Sequence, residues 1–184
     1  MRVTAGALKR QRLTAPKGRR TRPTTDRVRM ACLDALAPWL PGCSFLDLFA
    51  GAGAVGIEAL SRGAAECVFV EEDRAALSAL RENLTRLGLS DRARVLSRKA
   101  VAALELLKRE GARFQAIFLD PPYASPLAAD TLAQLGDGAL LAPAGVVVAQ
   151  HLTKASLPSR VGRLAAFKAR RFGETTLTFF RPAE

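Results

Sequence analysis

The sequence predicts an α/β domain, a doubly wound and mostly parallel sheet with helices on both faces and an antiparallel pair at one edge. Three observations carry that prediction. Between residues 44 and 150, short apolar runs alternate with helix-periodic ones, the pattern of a parallel sheet covered on both sides. A glycine-rich turn joins the first strand to the helix after it. The last two strand-like runs, near 161–167 and at 175–181, have too little chain between them for a parallel crossover, so they pair antiparallel.

The elements follow in order. RVTAGALKRQRL has two short, partly β-branched runs around a small-residue bend, which suits a basic hairpin or a flexible arm over residues 1–21. ThrAlaProLysGly at 14–18 is a turn or linker. From Thr25, a plausible N-cap, helical periodicity runs through Val28, Cys32, Leu33 and Leu36 and stops before Pro38. Strands are expected at 44–49, 66–71, 92–97, 114–119 and 145–150, with helices at 54–63, 73–88, 100–111 and 125–136 between them. Gly88 closes the amphipathic 73–88 segment. Residues 22–184 then form one domain behind the basic opening segment.

Composition narrows the class. The 184 residues are 49% hydrophobic and 24% charged, enough apolar chain for a real core and too much for disorder. No apolar run reaches the roughly 18–20 residues of a membrane span. The N-terminus carries basic residues without a following apolar stretch, so a soluble cytoplasmic protein is expected. Cys32, Cys43 and Cys67 are odd in number and widely spaced, which fits small buried hydrophobes better than a disulfide framework. His151 is the single histidine, so no metal site is expected.

The net charge of +11 is uneven. Residues 1–29 hold ten basic side chains against Asp26 alone. A second acid-free stretch, 151–173, holds Lys154, Arg160, Arg163, Lys168, Arg170 and Arg171. Cations concentrated without aromatic or apolar interleaving suit a nucleic-acid backbone better than a membrane surface. Arg10, Arg12, Lys17, Arg19, Arg20 and Arg22 are the candidate RNA-binding residues.

Two constellations carry chemistry. LeuAspLeuPheAlaGlyAlaGlyAlaValGly, 46–56, places Gly51, Gly53 and Gly56 in a G-x-G-x-x-G turn ahead of a helix N-terminus. Glu71 ends the second strand, 20 positions beyond Gly51, where an acid can accept both ribose hydroxyls of an adenosine. Asp47 separates the cofactor classes. It would repel a pyrophosphate but attract the ammonium and sulfonium of S-adenosylmethionine, although an acid here could also cap the turn. The second constellation is AspProProTyr, 120–123, after the fourth strand. Its prolines fix φ and hold a stiff extended turn. The Asp120 carboxylate and a backbone carbonyl then become two fixed acceptors for a planar exocyclic amine. Tyr123 offers a face on which a base can stack, worth roughly 1–3 kcal/mol. Asp120, Pro121, Pro122 and Tyr123 are the catalytic candidates.

ArgProThrThrAspArgVal (22–28), LeuAspLeuPheAlaGlyAlaGly (46–53), AspProProTyr (120–123) and PheGlyGluThrThrLeu (172–177) together resemble the RsmD family of bacterial 16S rRNA guanine-N2 methyltransferases. The resemblance implies a Rossmann-like class I S-adenosylmethionine-dependent fold with seven strands in the order 3-2-1-4-5-7-6, the last antiparallel. It implies 16S rRNA as substrate, within a 30S subunit or an assembly intermediate, and a monomer. It also implies Asp47, Phe49, Gly51, Gly53 and Glu71 at the cofactor and residues 120–123 around the target amine. The sequence departs from the family pattern in three respects. Lys99 stands where an Asp usually receives the adenine amino group, Gln150 and His151 stand where an acid is common, and Ala5 and Arg10 replace glycines. The rivals are a DNA adenine-N6 methyltransferase, disfavoured by the lack of anything like a target-recognition domain, and a non-catalytic RNA-binding or assembly protein. A nicotinamide dehydrogenase would need another account of Asp47 and the proline turn.

Overall fold

The computed structural model describes residues 1–16, 26–122 and 127–183. In chain order the elements are α1 (Asp26–Ala35), β1 (Ser44–Leu48), α2 (Ala54–Ser61), β2 (Glu66–Glu71), α3 (Arg74–Arg86), β3 (Ala93–Ser97), α4 (Ala100–Arg109), β4 (Phe114–Leu119), α5 (Leu127–Leu135), β5 (Leu141–Leu152), β6 (Arg160–Val161), β7 (Leu164–Phe172) and β8 (Thr175–Pro182). The strands form one sheet in the order β3-β2-β1-β4-β5-β8-β7-β6. Strands β1 to β5 pair in parallel, and β8 runs antiparallel between β5 and β7.

Eight strands stand where seven were expected. The extra one, β6, has two residues and pairs with the start of β7; without it the order is the anticipated one. Two bounds also shift. β5 begins at Leu141 rather than 145, because Leu141 pairs with Phe114 before a register irregularity. β7 extends to Phe172, since the chain turns back only at Gly173.

Side chains alternate across the strands, so the sheet has two cores. One face packs Phe45, Phe69, Phe118, Val148 and Phe179 under α1, α2 and α3. The other packs Leu48, Ile117, Val147 and Phe180 under α4 and α5. Helix α3 is capped by Asp73, whose side chain accepts the Ala76 N–H at 3.0 Å. Cys32, Cys43 and Cys67 are free and buried, and burial is the largest cause raising each thiol pKa.

The opening segment forms a short hairpin. Val3 donates to Gln11 O, Arg10 to Val3 O and Leu13 to Met1 O, at 2.9, 2.9 and 3.0 Å. Arg10 adopts φ 74, the left-handed conformation that glycine takes without strain, so the bend survives an arginine at that position. The hairpin is built into the domain: Val3 and Leu13 are buried in the α1–α3 core. Arg10 and Arg12 are exposed, whereas Lys17, Arg19, Arg20 and Arg22 lie outside the described residues.

Arg29 is one of the ten basic side chains of residues 1–29, but it does not face a nucleic-acid backbone. Its side chain is fully buried, bonded through Nε to Glu58 at 2.9 Å, through Nη2 to Arg2 O at 2.6 Å and to Asp26 at 3.0 Å. Glu58 also pairs with Arg62 at 2.9 Å and accepts from the Thr4 hydroxyl, and Arg62 reaches Asp34. One ionic network thus ties hairpin, α1 and α2 together. Burial pushes the Glu58 carboxyl up, but the hydrogen bonds from Thr4, Arg62 and Arg29 outweigh it and hold the group below its ordinary value.

Candidate functional site

Right-handed crossovers place the strand-to-helix turns together at the carboxyl edge of the parallel strands. Three of those turns meet here, after β1, β2 and β4. The chain leaves β1 through Phe49, whose φ of 66 is a strained value for a non-glycine residue. Phe49 packs against the α4–α5 core while the Ala50 N–H is held by Val70 O at 2.9 Å, which fixes the strained residue between two anchors. The turn then runs through Gly51 and Gly53, at φ 58 and 85, into the free N–H groups that open α2. A Cβ at Gly51 would meet nothing within 4 Å, so this turn borders open space. At Gly56 a Cβ would sit 2.3 Å from the Phe69 ring, so only glycine allows α2 this close to β2.

Glu71 staples the turn from the neighbouring strand. Its Oε2 accepts the Gly51 N–H at 2.8 Å, and its Oε1 accepts the N–H groups of Glu72 and Asp73, both at 2.8 Å. A carboxylate has about four lone-pair sites, so the half-buried group retains capacity for a ligand hydroxyl. Behind the turn, buried Asn83 donates to Ala52 O at 3.1 Å and exchanges bonds with Thr14 N and O at 2.8 and 3.0 Å. Asn83 thereby fastens the glycine turn to the hairpin exit. Sequence reading took it for part of an amphipathic helix; the signal was an amide on that helix's apolar face.

Asp47 sits deeper than its charge alone suggests. It is 1% exposed, and its Oδ2 accepts the Gly56 N–H at 2.9 Å. It therefore holds the first turn of α2, the capping role that the sequence left open. Burial drives its pKa up to about 8; the Gly56 bond opposes this, while the nearby Asp120 and Glu71 carboxylates add to it. Asp47 pairs with Phe118 in the β1–β4 ladder, so Asp120, two residues further on, belongs to the same face of the sheet. Asp120 and Asp47 also act together on the buried Cys32 thiol of α1. Pro121 is buried and Pro122 exposed; Tyr123 lies outside the described residues.

The result is an acidic sheet edge in a strongly basic chain, with the Asp47, Glu71 and Asp120 carboxyl groups near a glycine turn and a helix N-terminus. The chemistry of these residues fits an adenosine: Glu71 keeps capacity for ribose hydroxyls, and the backbone over Gly51 borders open space. Lys99 lies at the N-cap position of α4, just past the end of β3, with no side-chain cap bond. His151 is absorbed structurally. Its Nδ1 lies 2.9 Å from Leu152 O and its Nε2 2.8 Å from the Thr178 hydroxyl. Among the described residues no cluster of three or more His, Cys, Asp or Glu could hold a metal ion, and no helix is long and apolar enough to cross a membrane.

Asp47 sets a pH prediction. Its folded-state pKa of about 8 lies above the ordinary 3.8, so the neutral form is favoured in the fold. Its stabilising contribution is complete below the ordinary value and is lost as pH rises through about 8. Asp47→Asn keeps an acceptor for Gly56 and cannot ionise. The variant is expected to gain Tm relative to wild type as pH rises from about 6 to 9; a difference that stays flat across thermal unfolding scans refutes the assignment.

The sheet order and the glycine turn define a Rossmann-like methyltransferase fold. A family model described as "Conserved hypothetical protein 95" matches residues 1–181. Ribosomal RNA small subunit methyltransferase D of Escherichia coli K12 is 35% identical over 159 residues, covering 86% of this chain and 78% of that protein. Its Haemophilus influenzae namesake is 32% identical, covering 80% and 76%. A solved structure of a hypothetical protein from Thermus thermophilus superposes with TM-score 0.85 at 37% identity, covering 98% of this chain and 99% of that one. The chain belongs to this family, the RsmD family of ribosomal RNA methyltransferases.

Proposed function

We propose that this protein transfers a methyl group from S-adenosylmethionine to the exocyclic N2 amine of one guanine in 16S rRNA. The observation that carries the reading is the Asp120 carboxyl, at the carboxyl end of β4 and close enough to Asp47 to raise its pKa, beside the Gly51–Gly53 turn. When bound, the donor supplies an electrophilic methyl group on a sulfonium. Everything else falls to the chain. Asp47, Phe49, Gly51, Gly53 and Glu71 hold the donor. Asp120 and the Pro121 carbonyl accept the two N–H bonds of the target amine, whose lone pair is otherwise delocalised into the ring. Positioning is the main source of rate, and the amine's proton leaves to Asp120 or water. The base reaches the site by extrusion, at a cost of a few kcal/mol offset by stacking on Tyr123 and pocket hydrogen bonds.

Arg10, Arg12, Lys17, Arg19, Arg20 and Arg22 grip phosphates without reading sequence. The reading includes a monomeric, cytoplasmic enzyme that meets its RNA in a 30S subunit or an assembly intermediate. The test is incubation of the protein with labelled S-adenosylmethionine and 30S particles from a strain lacking the methylation, followed by nucleoside analysis. Label in N2-methylguanosine of 16S rRNA is expected. Label on adenine, or on DNA in a parallel incubation, overturns the target; no label on any substrate overturns the activity.

A further inference from the structure

We propose that the outer face of β7 and β8 is a second RNA-binding surface, where Phe167 stacks on a base flanking the methylation target and Lys168, Arg170 and Arg181 engage the phosphates around it. This rests on the rRNA-methylation reading above and extends it to the path of the strand outside the pocket.

This strand departs from the general pattern of cations without aromatic interleaving, since Phe167 precedes Lys168 and Phe172 follows Arg171; folding adds Phe179 from β8. Residues 167–171 of β7 are all exposed. Phe167 is 40% exposed, one of three large hydrophobic side chains so exposed among the described residues. Its ring meets the buried Phe179 ring edge-on, with centroids 6.3 Å apart and planes at 63°. The Arg181 guanidinium lies 5.4 Å from the Phe167 centroid, and Lys168 Nζ lies 5.8 Å from that of Phe179. The register shift between Ala166 and Lys168 lets these successive side chains both reach Phe179.

Register ties this strip to the site. Lys168 pairs with Phe179 and Arg170 with Leu177, and both partners belong to the α1–α3 core. The cations therefore share a face with Asp47 and Asp120. Leu119 pairs with Ala149, Ala149 with Thr178 and Thr178 with Ala169. Arg170 is thus level with Asp120, three strand spacings away, or roughly 14 Å. A fixed ring flanked by cations on an uncovered sheet matches what a single strand needs, a stacking platform with charges for its backbone. An acidic protein would use the charges but gain nothing from the exposed ring.

The experiment measures methyl-transfer kinetics on whichever substrate the wild type labels, 30S particles or 16S rRNA extracted from them. Phe167→Ala is expected to raise KM about tenfold, the low end of the range for losing one base stack, with kcat and S-adenosylmethionine affinity unchanged. Phe167→Trp restores it. Lys168→Ala with Arg170→Ala flattens the salt dependence of RNA binding by about 0.7 in log–log slope for each phosphate no longer neutralised. Photo-reactive benzoylphenylalanine at position 167 crosslinks to 16S rRNA. Wild-type KM in Phe167→Ala, or a crosslink to a ribosomal protein instead of RNA, overturns the inference. If the wild type labels neither substrate, the methyl-transfer reading has failed instead.

Discussion

Asp120→Ala is expected to lower kcat for methyl transfer by about 10²–10⁴-fold while S-adenosylmethionine still binds. The alanine removes the acceptor that aligns the amine lone pair and one of two routes for its proton. The prolines that stiffen the turn remain, so the loss is chemical rather than structural. Donor binding survives because Glu71 and the Gly51–Gly53 turn are untouched. Removing the neighbouring carboxylate also lets the Asp47 pKa fall from about 8, since Asp120 is one of the groups raising it. Single-turnover kinetics on the labelled substrate, with calorimetry of donor binding, check both halves. A near wild-type rate would leave the amine-positioning role without support.

Arg29→Ala is expected to cost about 3–5 kcal/mol of stability, the usual penalty for breaking a buried ion pair. For a chain of this size that is a Tm drop of roughly 6–20 °C. The substitution strands Glu58, itself 0% exposed, with Arg62 as its remaining ionic partner, and it releases Arg2 O at the base of the hairpin. Arg29→Lys should rescue little, because a single ammonium cannot replace a planar fork that reaches Glu58, Asp26 and Arg2 O together. The sign of the pH dependence is opposite to that of Asp47. Glu58 has a depressed folded-state pKa, so its contribution is present above the ordinary carboxylate value and is lost as pH falls through the folded one. The gap between wild type and Arg29→Ala should therefore narrow in acid. Urea unfolding at neutral and acidic pH measures it.

The same network bears on how the hairpin should be tested. Deleting residues 1–20 would remove Val3 and Leu13 from the core together with the basic side chains, so lost RNA binding could reflect lost folding. Neutralising the exposed Arg10 and Arg12 separates charge from packing.

Much of the architecture was legible because it is written locally. Alternation of two periodicities marks strands and helices, and glycines spaced two and three positions apart between them mark a turn that opens onto a helix N-terminus. The strand order came with the family resemblance and the antiparallel edge pair with the short connection, whereas the two-residue β6 carries too few side chains to leave a pattern. Asp120 and Glu71 were legible for the same reason, each standing just past or at the end of an apolar strand.

What the local pattern could not set was which polar atoms meet. Arg29 lies beside Val28 and one turn before Cys32 and Leu33, on the core side of α1, yet charge alone counts it with the basic opening segment; only folding sets Glu58, 29 positions away, against it. Asp47 reads either as a charge for a ligand or as a cap for the turn, and packing gives it the cap on Gly56. Phe167 stands next to Lys168 in the sequence, but only the pairing of β7 with β8 sets Phe179 beneath Lys168 and Arg181 over Phe167. The sequence by itself determined the element types, the antiparallel edge and the chemistry-bearing turns, because periodicity and backbone stiffness act within a few residues. The tertiary structure alone decided which charges are buried, which are paired and which face the solvent, because those depend on distant segments excluding water from the same small volume.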